Sequence, residues 1–354
     1  MTCYNPIRAC YSKSGYARTG KKDIHLVLHE TYDANGKLVK DEKWKLNEAS
    51  FPHALYEYIN LPCRSCVGCR SDNAKMWSLR AYHELTCHKR NCFITLTYND
   101  ESQYVIDDPL CRHSLRYKHF QNFMKRLRKE FPDEHIGYIV SGEYGCKDGR
   151  AHWHAILFGF DFPDKVEIYR SKGFPHYKSE ILERLWSIYD RDTDMYFPIG
   201  YVDLCDVDYD CCSYVAQYVF KKLDDLKSHP IIDYDDNGDP IRLEDKAPPI
   251  VRTSKNPAIG LTWFYKYGDN AVQKGFCVSP KTKCSRVKTP AYYYSKFEQI
   301  KPDEYKKIND ERTEKMKKHY KLFPLDVKKL KSWQDSHLYR IINKTKGMLT
   351  KIKT

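Results

Sequence analysis

The sequence lacks the features that mark membrane-spanning and secreted proteins. No run of 18 or more apolar residues occurs among its 354 residues, so a transmembrane helix is not expected. The first 22 residues lack the apolar core of a secretory signal, and we expect an intracellular protein. In a reducing compartment its 14 cysteines are not expected to form disulfides.

Negative charge is in the minority along this chain. Lysine and arginine total 60 against 47 aspartates and glutamates, which gives a net charge of +13. A chain this basic is attracted to polyanions, of which nucleic acid is the commonest, although charge alone does not exclude a membrane surface. The 29 tyrosines and 15 phenylalanines supply aromatic rings that can stack on bases.

Neither an internal repeat nor a low-complexity tract interrupts the chain. Periodic segments between about residues 90 and 225 predict the order β-α-β-β-α-β followed by one more helix. This is the plan of a ferredoxin-like or RRM-like α+β domain, in which helices pack on one face of an antiparallel sheet and the other face carries the site. We predict four segments: an N-terminal segment with a cysteine cluster and a helix, the core, a loop-rich extension that packs on the core, and a basic helical tail (1–89, 90–225, 226–300 and 301–354).

The basic tail has two interpretations. Residues 301–354 contain 16 lysines and arginines against seven acids. Such a segment is either a solvated extension or a contact for nucleic-acid phosphates.

A histidine pair is the first candidate for chemistry. His152 and His154 flank Trp153 in a predicted strand, and side chains two residues apart share one face of a strand. Both imidazoles can therefore reach one cation, while Trp153 points to the packed face. Histidine pairs at this spacing also arise without a metal, so the neighbouring strand decides the interpretation.

That neighbouring strand offers a carboxylate. A two-residue turn at Asp148-Gly149 would place Glu143 opposite His154, on the face of both histidines. Two imidazoles and one carboxylate leave coordination positions open for a substrate oxygen. The alternative is a solvent-exposed strand glutamate, because a slip of one residue would turn Glu143 to the other face.

A helix carries the second constellation. Tyr214 and Tyr218 are four residues apart and Lys221 follows three later, so all three share one helix face. The alternative is a pair of core tyrosines with a lysine that reaches solvent. Joined to a metal, a tyrosine hydroxyl with an ordinary pKa of about 10 becomes a usable nucleophile for a phosphodiester, and a lysine can neutralise the developing charge.

A cysteine cluster is the third. Cys63, Cys66 and Cys69 have the spacing of metal ligands, and a structural zinc ion needs a fourth. Cys3 and Cys10 are the candidates, and we favour Cys3. The alternative is a loop with unliganded cysteines.

Several motifs in order resemble a known family. LPCRSCVGCR, FITLTYND, SGEYG, AHWHAILFGF and YVAQYVFKK, between about residues 60 and 225, resemble the HUH endonucleases, and especially the rolling-circle replication initiators of microviruses of the gokushovirus type. The resemblance implies the HUH endonuclease fold, Mg²⁺ or Mn²⁺ at the histidine pair, and Tyr214 and Tyr218 as paired nucleophiles.

It also implies an activity and its partners. Such an enzyme nicks the viral strand of single-stranded origin DNA, becomes linked to the 5′ phosphate, frees a 3′-OH for replication, and later rejoins the strand. Its expected surroundings are the host cytoplasm and the host helicase and polymerase, with no membrane partner. Two other functions stay open: a non-catalytic RRM-like module with a zinc knuckle that stacks bases on Tyr98, Tyr138 and Tyr144, and a hydrolase that activates water.

Overall fold

The computed structural model describes most of the central part of the chain. The described residues are 3–13, 24–26, 31–32, 38–39, 52, 54–99, 114–145, 150–171, 173–221, 231–234, 240–242, 247, 249–281, 285–322, 329–333, 335–336 and 339. The chain divides into two compact units, one formed by Met1–Asp72 with Met316–Thr354 and the other by Asn73–Lys315.

Helices and strands alternate through most of the described part. The helices are α1 (Val67–Leu85), α2 (Tyr117–Glu130), α3 (Glu180–Leu185), α4 (Tyr209–Lys221), α5 (Leu261–Lys274), α6 (Ala291–Ile300) and α7 (Pro302–Leu322). The strands are β1 (Ile7–Ser12), β2 (Ile24–Leu26), β3 (Thr31–Tyr32), β4 (Leu38–Val39), β5 (Tyr56–Leu61), β6 (Asn91–Thr97), β7 (Gly137–Tyr144), β8 (Ala151–Phe158), β9 (Val166–Ser171), β10 (Phe174–Lys178), β11 (Ser187–Asp190), β12 (Met195–Pro198), β13 (Val202–Cys205), β14 (Ile231–Tyr234), β15 (Pro240–Arg242), β16 (Ile250–Thr253), β17 (Phe276–Val278) and β18 (Arg286–Lys288). No helix in the described part is both long enough and apolar enough to cross a membrane.

The predicted α+β class with a large antiparallel sheet is confirmed. The sheet has seven strands in the order β16-β7-β8-β6-β13-β10-β9, and every neighbouring pair is antiparallel. Its four middle strands, β7, β8, β6 and β13, with helix α2 after β6 and helix α3 before β13, reproduce the predicted β-α-β-β-α-β order. Strand β16 extends one edge, and the hairpin of β10 and β9 extends the other.

The prediction that helices occupy one face of the sheet is wrong. Helix α2 packs Phe120 and Phe123 into the main core together with Trp153 of β8. Helix α4 packs Val215 against the opposite face, in a cluster that includes Ile156 of the same strand. Since strand residues alternate between faces, that second face is apolar toward the end of β8 and polar at the histidines. Helices therefore cover both faces, and the site lies beside helix α4 instead of on an open face.

A second difference concerns the segment 178–189, which was predicted to be one helix. Helix α3 is capped by Ser179, whose side chain accepts a hydrogen bond from the Leu182 amide at 3.1 Å, but the helix ends after six residues. The following Ser187–Asp190 pairs with Met195–Pro198 as a hairpin. Cross-strand pairing has replaced the helical continuation, because the next segment offers a matching partner.

Candidate active site

The histidine pair and Glu143 lie on adjacent strands at the centre of the sheet. Glu143 of β7 is directly opposite His152 of β8, and Ser141 is opposite His154. The predicted register, with Glu143 opposite His154, is therefore wrong by two residues. A shift of two keeps every side chain on its face, so Glu143 still shares the face of both histidines. The predicted turn at Asp148-Gly149 lies outside the described residues.

Trp153 fixes the orientation of this strand. Its ring is fully buried on the face opposite the histidines, and its indole Nε1 donates a hydrogen bond to the Tyr98 hydroxyl at 3.1 Å. A buried tryptophan with a satisfied N–H holds its strand to one side of the sheet. The two flanking imidazoles are consequently held on the other side, as the sequence predicted.

The three predicted metal ligands converge on one oxygen. The Oε1 atom of Glu143 lies 2.9 Å from His152 Nε2 and 3.0 Å from His154 Nε2. Glu143 and His154 are more than nine-tenths buried. Three donors of this type on two paired strands form a compact set that can hold a divalent cation.

Each imidazole is also held from behind through its other nitrogen. His152 Nδ1 lies 3.0 Å from the carbonyl oxygen of Arg150, and His154 Nδ1 lies 3.0 Å from the Thr95 hydroxyl. A carbonyl can only accept, so His152 Nδ1 carries a proton and its Nε2 is left to face the carboxylate. Partners of this kind orient metal-binding histidines in proteins.

The electrostatics of the three groups are coupled. Burial acts to raise the pKa of Glu143, but hydrogen bonds from His152 and His154 outweigh it and lower that pKa to about 2. Burial lowers the pKa of His154, and the nearby Glu143 opposes this shift without cancelling it. The carboxylate therefore stays charged, and His154 favours the neutral form that binds metals.

Helix α4 brings Tyr214 to this set. Its hydroxyl lies 3.3 Å from Glu143 Oε1 and 3.3 Å from His154 Nε2, and the side chain is 40% exposed. A solvent-accessible hydroxyl beside three inward-facing ligands has the placement of a nucleophile. The backbone of Tyr218 and Lys221 belongs to the same helix, while their side chains lie outside the described part of the structure.

Strand β6 supplies two residues that sequence reasoning missed. Thr95 lies opposite His154 and bonds to it, and Phe93 stacks on His154 with ring centroids 5.7 Å apart. Both lie in the segment FITLTYND, which was noticed as a motif without a role for any residue. The alternation of this strand was the available signal, because Phe93 and Thr95 are two residues apart and share one face.

The cysteine cluster assembles in the unit that contains the N-terminus. The sulfur atoms of Cys3, Cys63, Cys66 and Cys69 all lie within 4.8 Å of one another. Cys10 instead lies in strand β1, packed against Tyr56 and Tyr58. Of the two candidates for a fourth ligand, the structure thus places Cys3 at the cluster.

Backbone amides surround the sulfur atoms of this cluster. The Cys63 amide donates to Cys3 Sγ at 3.2 Å, the Cys66 amide to Cys63 Sγ at 3.2 Å, and the Tyr4 amide to Cys66 Sγ at 3.4 Å. Although burial raises the pKa of Cys63, hydrogen bonds from the Cys66 backbone and from Ser65 lower it to about 7. Amides that point at sulfur favour the thiolate form that binds metals.

The tyrosines suggested for base stacking are not placed to stack. Tyr98 is fully buried, and Tyr138 and Tyr144 are half-buried and pack against the main core. Tyr144 also donates a hydrogen bond to the Ala247 carbonyl at 2.5 Å. These rings stabilise the core, so the structure contradicts this part of the RRM-like alternative.

Comparison with known proteins gives the family of the chain. Residues 91–223 match the model of a family of replication-associated proteins of the ORF2 type. The chain is 31% identical over 283 residues to the replication-associated protein VP4 of Bdellovibrio phage phiMH2K, which covers 77% of this chain and 76% of that protein. It is also 31% identical over 285 residues to the replication-associated protein ORF2 of Spiroplasma virus 4, covering 78% of this chain and 79% of that protein.

A third relative is matched over a shorter stretch, and solved structures add nothing. The replication-associated protein ORF4 of Chlamydia phage 1 is 31% identical over 218 residues, which cover 58% of this chain and 46% of that protein. No solved structure matches the chain significantly. Because the first two relatives are matched over about three quarters of their length, the resemblance predicted from the motifs is confirmed, and the chain belongs to the family of phage replication-associated proteins.

Proposed function

We propose that this chain is a replication initiator that nicks single-stranded origin DNA through a tyrosine nucleophile. The observation that carries the proposal is the position of Tyr214, whose hydroxyl lies 3.3 Å from both Glu143 Oε1 and His154 Nε2. The net charge of +13 suits a polyanionic substrate. The viral strand at the origin is the proposed substrate, and the host helicase and polymerase are the proposed later partners.

The proposed step exchanges one phosphate ester for another. The Tyr214 oxygen attacks the scissile phosphorus, and the bond from phosphorus to the 3′ oxygen of the preceding nucleotide breaks. The 5′ phosphate is then esterified to Tyr214, and the proton lost by the tyrosine is balanced by the proton gained by the free 3′-OH. Because one ester replaces another, the reverse reaction with a 3′-OH rejoins the strand.

The ligand set fits a divalent cation. His152 faces an accepting carbonyl at one nitrogen and a carboxylate oxygen at the other, so a neutral ring leaves two acceptors facing each other at 2.9 Å. A cation held by His152, His154 and Glu143 resolves this conflict. Mg²⁺ or Mn²⁺ bound there would withdraw charge from the scissile phosphate and orient it for in-line attack.

Two further residues have proposed roles. Tyr218 follows Tyr214 by one helical turn and is proposed as a second nucleophile for successive strand transfers. Lys221, on the same helix, is proposed to neutralise charge that develops on the phosphate. Both proposals rest on sequence spacing along helix α4.

The test is a search for the covalent adduct. The full chain is incubated with Mn²⁺ and overlapping single-stranded segments of the phage genome, digested with trypsin, and analysed by mass spectrometry. We expect a nucleotide on the peptide of residues 192–221 and, by fragmentation, on Tyr214 or Tyr218. The adduct should disappear in the Tyr214→Phe, Tyr218→Phe double variant and persist in Tyr209→Phe, a matched control on the same helix.

Each other outcome points to a different function. Cleavage that survives in the double variant would overturn the tyrosine mechanism and favour a hydrolase that uses activated water. Metal-independent DNA binding without any cleavage would instead favour the non-catalytic module. Cleavage that is unchanged after Mn²⁺ and Mg²⁺ are removed would contradict the proposed role of His152, His154 and Glu143.

A structural zinc ion at the cysteine cluster is part of the proposal. Four thiolates, Cys3, Cys63, Cys66 and Cys69, satisfy the coordination that structural zinc requires. We expect Cys66→Ser to bind one zinc ion fewer per chain than the unmodified protein, and Cys10→Ser, the other N-terminal cysteine, to keep it. Equal zinc content in Cys66→Ser and the unmodified chain would contradict the site.

A further inference from the structure

A second cluster of possible ligands lies near the edge of the central sheet. His176 of β10 is directly opposite Cys205 of β13, and Asp203 precedes Cys205 by two residues. Residues at these positions share one face of a sheet. The cluster joins residues from two stretches of chain, and no short sequence motif announces it.

The three side chains are close enough to bind one ion. His176 Nδ1 lies 2.8 Å from Asp203 Oδ1, and the Cys205 sulfur lies 3.3 Å from His176 Nδ1 and 3.4 Å from Asp203 Oδ2. Ligand atoms around a tetrahedral zinc ion stand roughly 3–4 Å apart, given bond lengths of about 2.0–2.3 Å. Small movements would therefore admit the ion.

The local charges favour a cation. The neighbouring Asp206 pairs with Lys165 at 3.1 Å. In the described part of the chain, the contacts recorded for the Asp203 carboxylate are with His176 and the Cys205 thiol, and none is with a lysine or arginine. A carboxylate and a thiol side by side without a basic partner form a site that a positive ion can stabilise.

The histidine is held in place and the cluster is reachable from solvent. The ring of Tyr169 stacks on His176, with centroids 4.4 Å apart and an interplanar angle of 9°. The side chains of His176 and Asp203 are 17% and 34% exposed. An ion can therefore enter, and one coordination position faces outward.

We propose that His176, Asp203 and Cys205 hold a zinc-type divalent cation, distinct from the ion at His152 and His154, with its remaining position open to an oxygen donor. A thiolate, an imidazole and a carboxylate suit zinc, whereas the central set without sulfur suits harder ions. Three protein ligands with one open position are typical of zinc sites that bind a further ligand.

The position of this cluster relates it to the central site. Thr95 of β6 is opposite Asp203 on one side and opposite His154 on the other, so the two clusters share one face. Two strand spacings separate them, which corresponds to about 10 Å. A nucleic-acid strand on this face can meet both. The metal site stands on its own geometry and does not depend on the tyrosine mechanism.

The competing explanation needs no ion. His176 can donate its Nδ1 proton to Asp203, and the Cys205 thiol can donate to the same carboxylate. The two explanations differ in whether the thiol is blocked when zinc is added. Cys211 provides a matched comparison, because it is a partly buried thiol six residues away that contacts the Asp206 carbonyl instead.

The first experiment uses the unmodified full chain. It is stripped of metal, incubated with or without one to three equivalents of zinc, alkylated, and mapped by mass spectrometry. We expect zinc to slow alkylation of Cys205 at least tenfold, and a chelator to reverse this protection, with Cys211 unaffected. Equal alkylation of Cys205 with and without zinc would overturn the proposal.

The second experiment counts the ions in variants. After loading with zinc and dialysis, Cys205→Ser and the near-isosteric Asp203→Asn should each contain one zinc ion fewer per chain than the unmodified protein. Cys211→Ser should keep the full content, and Cys66→Ser reports separately on the cysteine cluster. Unchanged zinc content in both Cys205→Ser and Asp203→Asn would overturn the proposal, whatever the nicking assay shows.

Discussion

The centre and the edge of the sheet carry two ligand clusters on the same face, and they differ in chemistry and support. At the centre, Glu143, His152 and His154 offer oxygen and nitrogen, and each histidine has a partner behind it. At the edge, a thiol replaces one imidazole, and the side chains are more exposed. Only the central cluster has a tyrosine hydroxyl within 3.3 Å among the described residues.

This difference indicates a division of roles. The central set is buried on paired middle strands, where the core fixes its geometry, as a reaction centre requires. The edge set rests on a short hairpin and is proposed to bind an ion without carrying a nucleophile. The following predictions separate the two, from the largest expected effect to the smallest.

The largest effect is expected for His154→Ala. Loss of this ligand should reduce Mn²⁺-dependent cleavage by roughly 10³-fold, because a bound cation contributes several kcal/mol and each factor of ten corresponds to about 1.4 kcal/mol. His88→Ala is the matched control, since His88 Nε2 also lies 2.9 Å from a glutamate oxygen, that of Glu84, away from Tyr214. Initial nicking rates measure the effect. A loss below tenfold would place the chemistry elsewhere on the sheet.

Trp153→Ala tests whether the core supports the centre more than the edge. Removing this fully buried ring should lower the free energy of unfolding by about 3–5 kcal/mol. Tyr169→Ala at the edge removes an exposed ring stacked on His176, and should cost less than about 1.5 kcal/mol. Urea unfolding of both variants gives the comparison, and equal losses would contradict it.

Thr95→Val should affect one cluster and spare the other. Thr95 bonds to His154 Nδ1, and loss of such a partner typically weakens metal binding by about 10–100-fold. We expect this loss for Mn²⁺ at the centre, with zinc content at the edge unchanged. Thr97→Val, whose hydroxyl donates to the Tyr201 carbonyl, is the control on the same strand. Unaltered Mn²⁺ affinity in Thr95→Val would show that the hydroxyl does not orient His154.

The smallest effect is a difference in pH dependence. Protons compete with metals for their ligands, so affinity falls as pH falls. Burial lowers the pKa of His154, and the pKa of Glu143 is about 2, so Mn²⁺ binding at the centre should persist to about pH 6 and weaken below it. Burial and the nearby Asp203 raise the pKa of Cys205, so zinc binding at the edge should lose about tenfold per pH unit already near neutrality. Titrations between about pH 8 and pH 5 measure both, and parallel curves would contradict the contrast.

Much of the central fold was predictable because its signals are local. The alternation of NCFITLT and AHWHAILF predicted two strands, and both are present. The extent of helix α3 was not predictable, because the residues after Leu185 exchange helical bonds for pairing with a later strand. The position of helix α4 was also missed, since an apolar helix face does not reveal which face of a sheet it will cover.

The candidate site was partly predictable for the same reason. His152, His154 and Glu143 were expected to share a face, and they do. The partner of Glu143 was misjudged by two residues, because a turn assigned from sequence sets the register only if its length is right. Tyr214 was singled out by its spacing, but its distance to His154 depends on how helix α4 packs.

The sequence by itself determined which residues could share a face, because the periods of strands and helices are properties of the local backbone. It also determined the family, through short motifs in order. Only the tertiary structure decided which residues meet across strands: Thr95 with His154, 59 residues apart, and His176 with Asp203, 27 residues apart. These contacts arise from strand order and register, which are set by the packing of the whole core and not by any single segment.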